Sequence, residues 1–374
     1  MCGSPARKET IRTLVPSRLR LPKMKRLAFS LALGMSSYPV AAQVVVARYQ
    51  GPLDTNASQL VKRETYDPVD LALQWRSSSE LLITHLEGYS YADMAASTCQ
   101  GTGVFRVPVD GRGTATPVSV GLPTCDAVQS SYGLTIDPES RWIVYAVHVL
   151  PNNSRLVRLE LGATRADTLS TSCTVYLARP MLSADGRRVA MDGICNRTDD
   201  EDGIYIMRPD GSDFRLLSRP GHFGAEDPNW SPDGSHLTFA KLRSEGGYRN
   251  AQIAIVDTSG RSTRIIATGY SPVWSPDGQW IAFLEEDPKA HFDETIHLIR
   301  PDGSGERVVF VNREHDSYSR GFGPIPEGLP REPLVWSPDG TALAFSRIYH
   351  NGTSVWRLDL ASGKVSPVTV PGAP

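Results

Sequence analysis

The chain has 374 residues, 40% of them hydrophobic and 21% charged, with a formal net charge of −2. This composition is typical of a folded protein, and the numbers of Gly and Pro allow many short strands. A chain of this length can form a stable core without a metal or an oligomer, and we expect a monomer.

A secretory signal is predicted before residue 43. Met24, Lys25 and Arg26 precede an apolar run over residues 27–35, and small residues follow at 40–42. The run is too short and wrongly flanked to span a membrane, and a first core strand would not explain its basic start. Residues 1–23 resemble sequence upstream of the true start. We therefore predict an extension plus cleavable signal over residues 1–42 and one domain over residues 43–374.

Cleavage at this point would change the charge of the protein. Residues 1–42 hold eight of the 39 basic residues and one of the 41 acidic residues, so the remainder has a formal net charge of −9. An acidic surface repels nucleic acid and anionic lipid alike. We predict a periplasmic or secreted protein that has no membrane span and binds no nucleic acid.

Four cysteines remain after cleavage: Cys99, Cys125, Cys173 and Cys195. An even number in an oxidising compartment indicates disulfides, whereas the CxxC and HxxxH spacings of zinc sites are absent. Four cysteines allow three pairings. Closeness in sequence favours Cys99–Cys125 and Cys173–Cys195.

A seven-residue motif with Trp-Ser-Pro-Asp-Gly at its core recurs along the chain. Strong copies occupy residues 228–234, 272–278 and 334–340, and weaker copies occupy 180–186, 134–140 and 73–79. Their anchor positions are 75, 136, 182, 230, 274 and 336, with spacings of 61, 46, 48, 44 and 62. A period of about 45 residues with two insertions is typical of propeller blades.

The turn chemistry of the motif predicts a hairpin. Pro starts a type I turn, Gly takes the positive φ, and the preceding Trp can pack between neighbouring sheets. A second turn, such as residues 209–211, follows 25 residues after the first. Four strands in each of six repeats predict an all-β fold, a six-bladed β-propeller of four-stranded antiparallel blades. We expect Val44–Tyr49 to pair with the last blade and close the ring.

The motif, an Ile-Ala-Phe strand at 281–283 and the later Arg-Pro-Asp-Gly-Ser at 300–304 resemble the WD40-like repeat of TolB-type propellers, over residues 66–374. The resemblance implies the fold and the docking of envelope proteins, such as a peptidoglycan-associated lipoprotein. TolB itself carries an N-terminal α/β domain. Because only residues 43–65 precede the first blade, we expect a TolB-like propeller rather than TolB.

The long connections of the predicted propeller all fall on one face. They are residues 87–102, 195–203, 218–227, 241–250, 284–295 and 311–333. Insertions confined to one face mark the binding side of a repeat protein, and all four mature cysteines map there. The candidate binding residues at the channel mouth of this face are Arg179, His222, Glu226, Asp227, Tyr270, Glu332, His315 and Arg320.

Two functions remain open. The first is an exported module that docks a protein or peptide on the loop-rich face. The alternative is a propeller enzyme of the lyase or metal-dependent lactonase type, with its site at the channel mouth. A free-standing peptidase is excluded, because no G-x-S-x-G nucleophile motif is present. The acidic runs 199–202 and 285–287 leave calcium open, but the first lacks the regular spacing of a calcium loop, and we expect no cofactor.

Overall fold

The computed structural model describes residues 65–66, 69–87, 89–90, 101–120, 133–149, 153–163, 166–169, 171, 173, 176–195, 202–219, 224–243, 250–286, 294–312, 334–349 and 352–369. All of them lie within one compact unit, residues 39–374. Over these ranges the backbone forms strands and turns without an α-helix, so it holds no helix that could cross a membrane. The predicted signal and the predicted closing strand Val44–Tyr49 lie outside the described residues.

The predicted six-bladed propeller is confirmed, because the strands form six antiparallel blades of four in chain order. Blade 1 is β2 (Val69–Ser77), β3 (Glu80–Glu87), β5 (Gly101–Pro108) and β6 (Thr116–Val120), beside the small pair β1 (Thr65–Tyr66) and β4 (Tyr89–Ser90). Blade 2 is β7 (Leu134–Ile136), β8 (Trp142–Val149), β9 (Asn153–Glu160) and β10 (Asp167–Thr168). Blade 3 is β11 (Tyr176–Leu182), β12 (Val189–Ile194), β13 (Asp202–Met207) and β14 (Arg215–Ser218).

The remaining three blades repeat the same arrangement. Blade 4 is β15 (Ala225–Trp230), β16 (His236–Lys241), β17 (Gln252–Asp257) and β18 (Thr263–Thr268). Blade 5 is β19 (Tyr270–Trp274), β20 (Ile281–Glu286), β21 (Glu294–Ile299) and β22 (Arg307–Asn312). Blade 6 is β23 (Val335–Trp336), β24 (Ala342–Tyr349), β25 (Gly352–Asp359) and β26 (Val365–Pro367).

The ring closes by direct contact between blade 6 and blade 1. A shared hydrophobic cluster contains Ala72, Trp75 and Leu81 from blade 1 and Ala342 and Val355 from blade 6. Further clusters of buried side chains join each of the other neighbouring blades. Because every blade face is covered by its neighbour, the short apolar strands are buried on both sides.

The Ser-Pro-Asp-Gly turns confirm the predicted hairpins between the first and second strands. In blade 4 the Ser231 hydroxyl donates to Asp233 at 2.6 Å and accepts the His236 N–H at 2.9 Å. Gly234 has the positive φ of 67° that the turn requires. The Ser231 hydroxyl, followed by the Ser235 N–H, lowers the pKa of Asp233 to about 2. The turn therefore carries its own hydrogen bonds and fixes where each hairpin reverses.

These turns lie at one end of the blades, here called the turn end. The turns between third and fourth strands lie at the same end, as the Thr258 N–H to Ser235 carbonyl bond of 3.0 Å shows in blade 4. The opposite ends, where second strands lead to third strands and one blade leads to the next, form the loop end. This division matches the predicted separation of tight turns from long connections.

Tryptophans of the motif tie blades 1, 4 and 6 to the blade before them in the ring. The indole N–H of Trp230 donates to the Met181 carbonyl at 2.9 Å, and that of Trp336 donates to the Val273 carbonyl at 3.2 Å. The indole of Trp75 donates to the Val335 carbonyl of blade 6 at 3.0 Å. Each acceptor lies one residue before the anchor of its own blade. The weakest sequence copy, at residues 73–79, thus makes the bond that closes the ring.

Trp274 is the exception among these tryptophans. Its indole nitrogen is buried without a hydrogen-bond partner in the described part of the chain. Its backbone N–H instead donates to the Asn229 side-chain oxygen at 3.0 Å. Trp274 therefore contributes packing but not the inter-blade indole bond.

Substitution of Trp75 by Phe tests the ring-closing bond. We expect the free energy of unfolding to fall by about 1–2 kcal/mol more than in Trp274→Phe, because only the first change leaves a carbonyl without its donor. Urea denaturation followed by circular dichroism measures both variants, and Trp274→Phe controls for the lost indole area. Equal destabilisation would show that the Trp75 bond adds nothing to closure.

Candidate functional site

The innermost strands of blades 3, 4 and 5 are interrupted by bulges near the loop end. The register shifts lie between Ala178 and Met181, between Glu226 and Asn229, and between Tyr270 and Val273. At each bulge one non-glycine residue adopts a left-handed backbone, namely Arg179 (φ 46°), Asp227 (φ 56°) and Ser271 (φ 50°). Each stands three residues before the anchor of its blade. The same strained position therefore recurs in three consecutive blades.

Arg179 makes ion pairs with three carboxylates from two blades. Its guanidinium lies 2.9 Å from Asp192 Oδ2, 3.1 Å from Glu226 Oε2 and 3.1 Å from Asp227 Oδ1. The Asp192 side chain is 3% exposed, whereas those of Arg179, Glu226 and Asp227 are 15–19% exposed. These four residues and Ser271 are called the Arg179 cluster below.

The cluster continues around the centre of the ring. The Ser271 hydroxyl of blade 5 donates to Asp227 Oδ2 at 3.0 Å. On the other side, Gly133 of blade 2 has a φ of 69°, and a Cβ atom there would lie 3.4 Å from Arg179 Cα. The equivalent positions of four neighbouring blades thus follow one another at the loop end of the inner strands.

The pKa values of Asp192 and Arg179 are both shifted in this cluster. Burial is the largest influence on Asp192, and despite Arg179 it raises the pKa of that carboxyl to about 8, with Glu226, Asp227 and Asp202 adding to the effect. Burial lowers the pKa of Arg179, but the surrounding carboxylates raise it more, and the net pKa lies well above the ordinary value. Arg179 therefore stays charged, and Asp192 exchanges a proton near neutral pH.

The structure brings together three of the predicted site residues, Arg179, Glu226 and Asp227. Tyr270, also predicted for this site, is 1% exposed and packs with Ala240 and Ala251 in a core cluster. The other predicted site residues lie outside the described residues and remain predictions. They are His222, Glu332, His315 and Arg320.

Two acidic residues of the site were missed or misplaced by sequence reasoning. Asp192 lies in the middle of β12 among buried neighbours, and a charged residue within the apolar run 189–194 was the signal that could have found it. Asp202 was assigned to an acidic loop, but it is the first residue of β13 and contributes to the field around Asp192.

A disulfide joins Cys173 and Cys195, whose Cα atoms are 4.4 Å apart. It confirms one of the two favoured pairings, and Cys99 and Cys125 lie outside the described residues. The bond connects the loop ends of the first two strands of blade 3, which carry Arg179 and Asp192. A closed loop of this length stabilises a fold by roughly 3 kcal/mol on the chain-entropy estimate.

A second polar group lies in blade 5, where Glu285, His297 and Glu306 could together hold a metal ion. His297 Nδ1 lies 3.0 Å from Glu306 Oε1, and its Nε2 lies 2.8 Å from the Thr295 hydroxyl and 3.3 Å from Glu285 Oε2. Both ring nitrogens therefore already face protein oxygens. A metal ion at His297 would have to displace one of these contacts, and the arrangement favours a hydrogen-bonded core histidine.

No protein-family model matches the chain. The chain is 32% identical over 205 residues to a TolB homolog of Chlorobium luteolum, which covers 54% of this chain and 42% of that protein. It is 28% identical over 187 residues to dipeptidyl-peptidase 5 of Porphyromonas gingivalis, which covers 47% of this chain and 25% of that protein. The chain thus spans less than half the length of either curated relative.

Among solved structures, the putative TolB of Agrobacterium tumefaciens superposes with a TM-score of 0.52 and 22% identity, over 73% of this chain and 87% of that one. This likeness and the six closed blades define a β-propeller with a polar cluster at the loop end of its inner strands. Within that class, the chain is similar to TolB-type propellers, and the curated TolB relative supports the resemblance of its WD40-like repeat to theirs.

Replacement of Asp192 by Asn tests the proton held in the cluster. A raised pKa in the folded state stabilises the protein fully below the unfolded pKa, and this stabilisation is lost as pH rises through about 8. Asn mimics the protonated group at every pH. We therefore expect the stability of Asp192→Asn relative to the parent to rise by about 1–3 kcal/mol between pH 5 and pH 8.

Urea denaturation at several pH values measures this difference. Asp233→Asn is the matched control, because Asp233 has a lowered pKa and stays ionised throughout this window. A relative stability of Asp192→Asn that does not change with pH would contradict the raised pKa.

Proposed function

We propose that this protein is an exported binding module that docks a protein or peptide segment at the loop end of its inner strands, around the Arg179 cluster. The observation that carries the proposal is the recurrence of left-handed, non-glycine residues at one repeat position of consecutive blades. Each such residue costs roughly 1–2 kcal/mol, and strain of this kind is concentrated at ligand sites.

The surroundings of the cluster support docking. Two different blades supply Arg179, Glu226 and Asp227. A ligand that contacts all three therefore binds to a surface formed by two blades rather than to a single loop. The disulfide between Cys173 and Cys195 holds the strand ends that carry Arg179 and Asp192. A surface arranged before its partner arrives loses less entropy on association.

The predicted export of this protein supports the same docking role. The disulfide is of the kind that persists in the periplasm or outside the cell, and it agrees with the signal predicted before residue 43. We propose one of these compartments as the location, with an envelope or secreted protein or peptide as the partner. The TolB relatives add to this proposal, since the family resemblance implies envelope partners.

Site-specific photo-crosslinking tests the docking face. A photoreactive residue at Arg243, which is exposed at the loop end, is expected to give one dominant adduct in an extract of envelope and secreted proteins. The same residue at Gln279, exposed at the turn end, serves as the matched control. The captured protein, purified and titrated against the unlabelled chain, should bind saturably.

Adducts of equal yield from both positions, or none from Arg243, would contradict docking at the loop end. A captured protein that fails to bind in the purified titration would contradict it as well.

A second candidate function is a propeller enzyme of the lyase or lactonase type, with its site at the same place. The observation that favours it is Asp192, whose pKa of about 8 makes it a proton-exchanging group beside a permanently charged Arg179. Against it, Glu226 and Asp227 are held by the guanidinium, and the predicted histidines His222 and His315 lie outside the described residues.

Metal content separates the two functions. For the docking module we expect less than one equivalent of calcium or transition metal in the purified protein, and a melting temperature that a chelator leaves unchanged. Elemental analysis and thermal melts with and without chelator measure both. A stoichiometric metal, with a melt lowered by chelation, would instead favour the metal-dependent enzyme.

A further inference from the structure

Arginines occupy the same repeat position on the outermost strands of blades 3, 4 and 5. They are Arg215, Arg264 and Arg307, at equivalent places in the pairing with the third strand. The side chain of Arg215 donates to the Thr258 carbonyl at 3.0 Å, and that of Arg264 donates to the Pro301 carbonyl. Each acceptor lies in the third-to-fourth turn of the next blade. In blades 3 and 4 this arginine therefore joins neighbouring blades.

Arg307 of blade 5 departs from this pattern. Its guanidinium carbon lies 5.2 Å from the centre of the Trp280 ring, and that of Arg300 lies 5.2 Å from the same ring. Both arginines are exposed. In the part of the chain that the structure describes, neither side chain forms a salt bridge or a hydrogen bond. Two groups of like charge therefore share one aromatic ring without a carboxylate or carbonyl partner.

Two other arginines that stack on tryptophan rings have a protein acceptor as well. Arg158 lies 4.5 Å from the centre of one ring and pairs with Glu160 at 2.7 Å. Arg188 lies 4.6 Å from the centre of another and donates to the Gly234 carbonyl at 2.8 Å. Stacking alone therefore does not account for the pair of arginines at Trp280, whose hydrogen-bonding capacity is left for solvent or a ligand.

The acids nearest to these arginines in sequence are bound to other groups. Asp302 accepts the Ser304 N–H at 2.8 Å, and Glu306 Oε1 lies 3.0 Å from His297 Nδ1. Hydrogen bonds from Ser304 lower the pKa of Asp302, and the charges of Arg300 and Arg264 add to this effect. These carboxylates offset part of the positive charge, but neither forms a salt bridge with a guanidinium at Trp280.

A glycine keeps the surface beside the ring open. Trp280 is partly buried against the core cluster that joins blades 5 and 6. Gly305 has a φ of 68°, and a Cβ atom there would lie 3.5 Å from Arg300 Nε and 3.7 Å from Trp280 Cη2. A side chain at this position would cover the ring edge and the guanidinium. With glycine, both remain accessible at the turn end of blade 5.

We propose that Arg300 and Arg307 form a binding site for the phosphate group of a small ligand beside Trp280. This inference goes beyond the proposed docking function, which concerns the loop end. A guanidinium donates through a planar fork that fits phosphate oxygens, and a phosphate monoester carries close to two negative charges at neutral pH. Two arginines balance that charge, whereas a carboxylate would balance only one of them.

The acidic charge predicted for the whole protein does not oppose such a site. Interactions between exposed charges more than about 8 Å apart are largely screened at physiological salt, so the local pair of guanidinium groups decides the affinity. Because both side chains are exposed and unpaired in the described part of the chain, they can turn toward one anion without breaking a salt bridge.

Calorimetric titration of the full chain at neutral pH and constant ionic strength tests this inference. The probes are inorganic phosphate and methyl phosphate, with acetate as the singly charged match. We expect one equivalent of phosphate to bind, at least about tenfold more tightly than acetate, a difference of about 1.4 kcal/mol. Equal binding of methyl phosphate would identify a phosphoryl group on a larger molecule as the ligand. Binding of inorganic phosphate alone would identify the free ion.

Variants locate the binding. Arg300→Gln and Arg307→Gln each remove one guanidinium, and each is expected to lower the affinity for inorganic phosphate at least about tenfold. Arg158→Gln is the matched control, because it removes a stacked arginine that already pairs with Glu160, and it should bind phosphate like the parent. Circular dichroism checks that each variant is folded. If one of the two site variants does not fold, the other decides alone.

Four results would overturn the inference. They are no binding of either phosphate, equal binding of acetate, site variants that bind phosphate like the parent, and an equal loss of affinity in Arg158→Gln. The outcome is independent of the docking proposal, since the two sites lie at opposite ends of the blades. Because the inferred ligand is a small anion rather than a protein, Gln279 remains a suitable crosslinking control for docking at the loop end.

Discussion

Each inner-strand tryptophan bond links one blade to the carbonyl of the blade before it, and the last such bond, from Trp75 to Val335, joins the two ends of the ring. A four-stranded blade cannot bury both of its faces alone, so its stability depends on the neighbours that cover it. The indole N–H fixes the register between neighbouring inner strands as well as their packing. Between blades 3 and 4, the bond from Trp230 to the Met181 carbonyl holds the two inner strands side by side at the centre of the ring.

The same register brings the bulged positions together. Because Arg179, Asp227 and Ser271 each precede their anchor by three residues, alignment of the anchors aligns the bulges too. The bulges turn side chains that would otherwise lie along the strands toward the adjacent blade. Ion pairs between blades 3 and 4 and a hydrogen bond between blades 4 and 5 then offset part of the local backbone strain. The same contacts between blades therefore stabilise the ring and position the side chains of the Arg179 cluster.

The site also departs from what stability alone would select. One guanidinium among several partly buried carboxylates leaves Asp192 with an unmatched oxygen and a raised pKa, whereas an apolar substitute of similar size would often be as stable or more so. The turn end shows the opposite pattern. There Asp185, Asp233 and Asp339 accept hydrogen bonds from local hydroxyl and backbone N–H groups, which lower the pKa of each carboxyl. The contrast indicates a structural role for the turns and supports the binding proposed at the loop end.

The sequence by itself determined the blades, because their signals are local. A Pro-Asp-Gly turn needs only adjacent residues to set its dihedral angles, and a spacing near 45 residues counts the repeats. Arg179, Glu226 and Asp227 were candidates because the sequence placed them just before predicted inner strands, and the structure places them within β11 and β15. The place of Asp192 in the cluster and its raised pKa were determined by the tertiary structure alone. Its burial, its contact with Arg179 and the field of Asp202 come from separate strands and a neighbouring blade, so no local pattern carries them. Only ring closure sets the distances at which these charges act on one another.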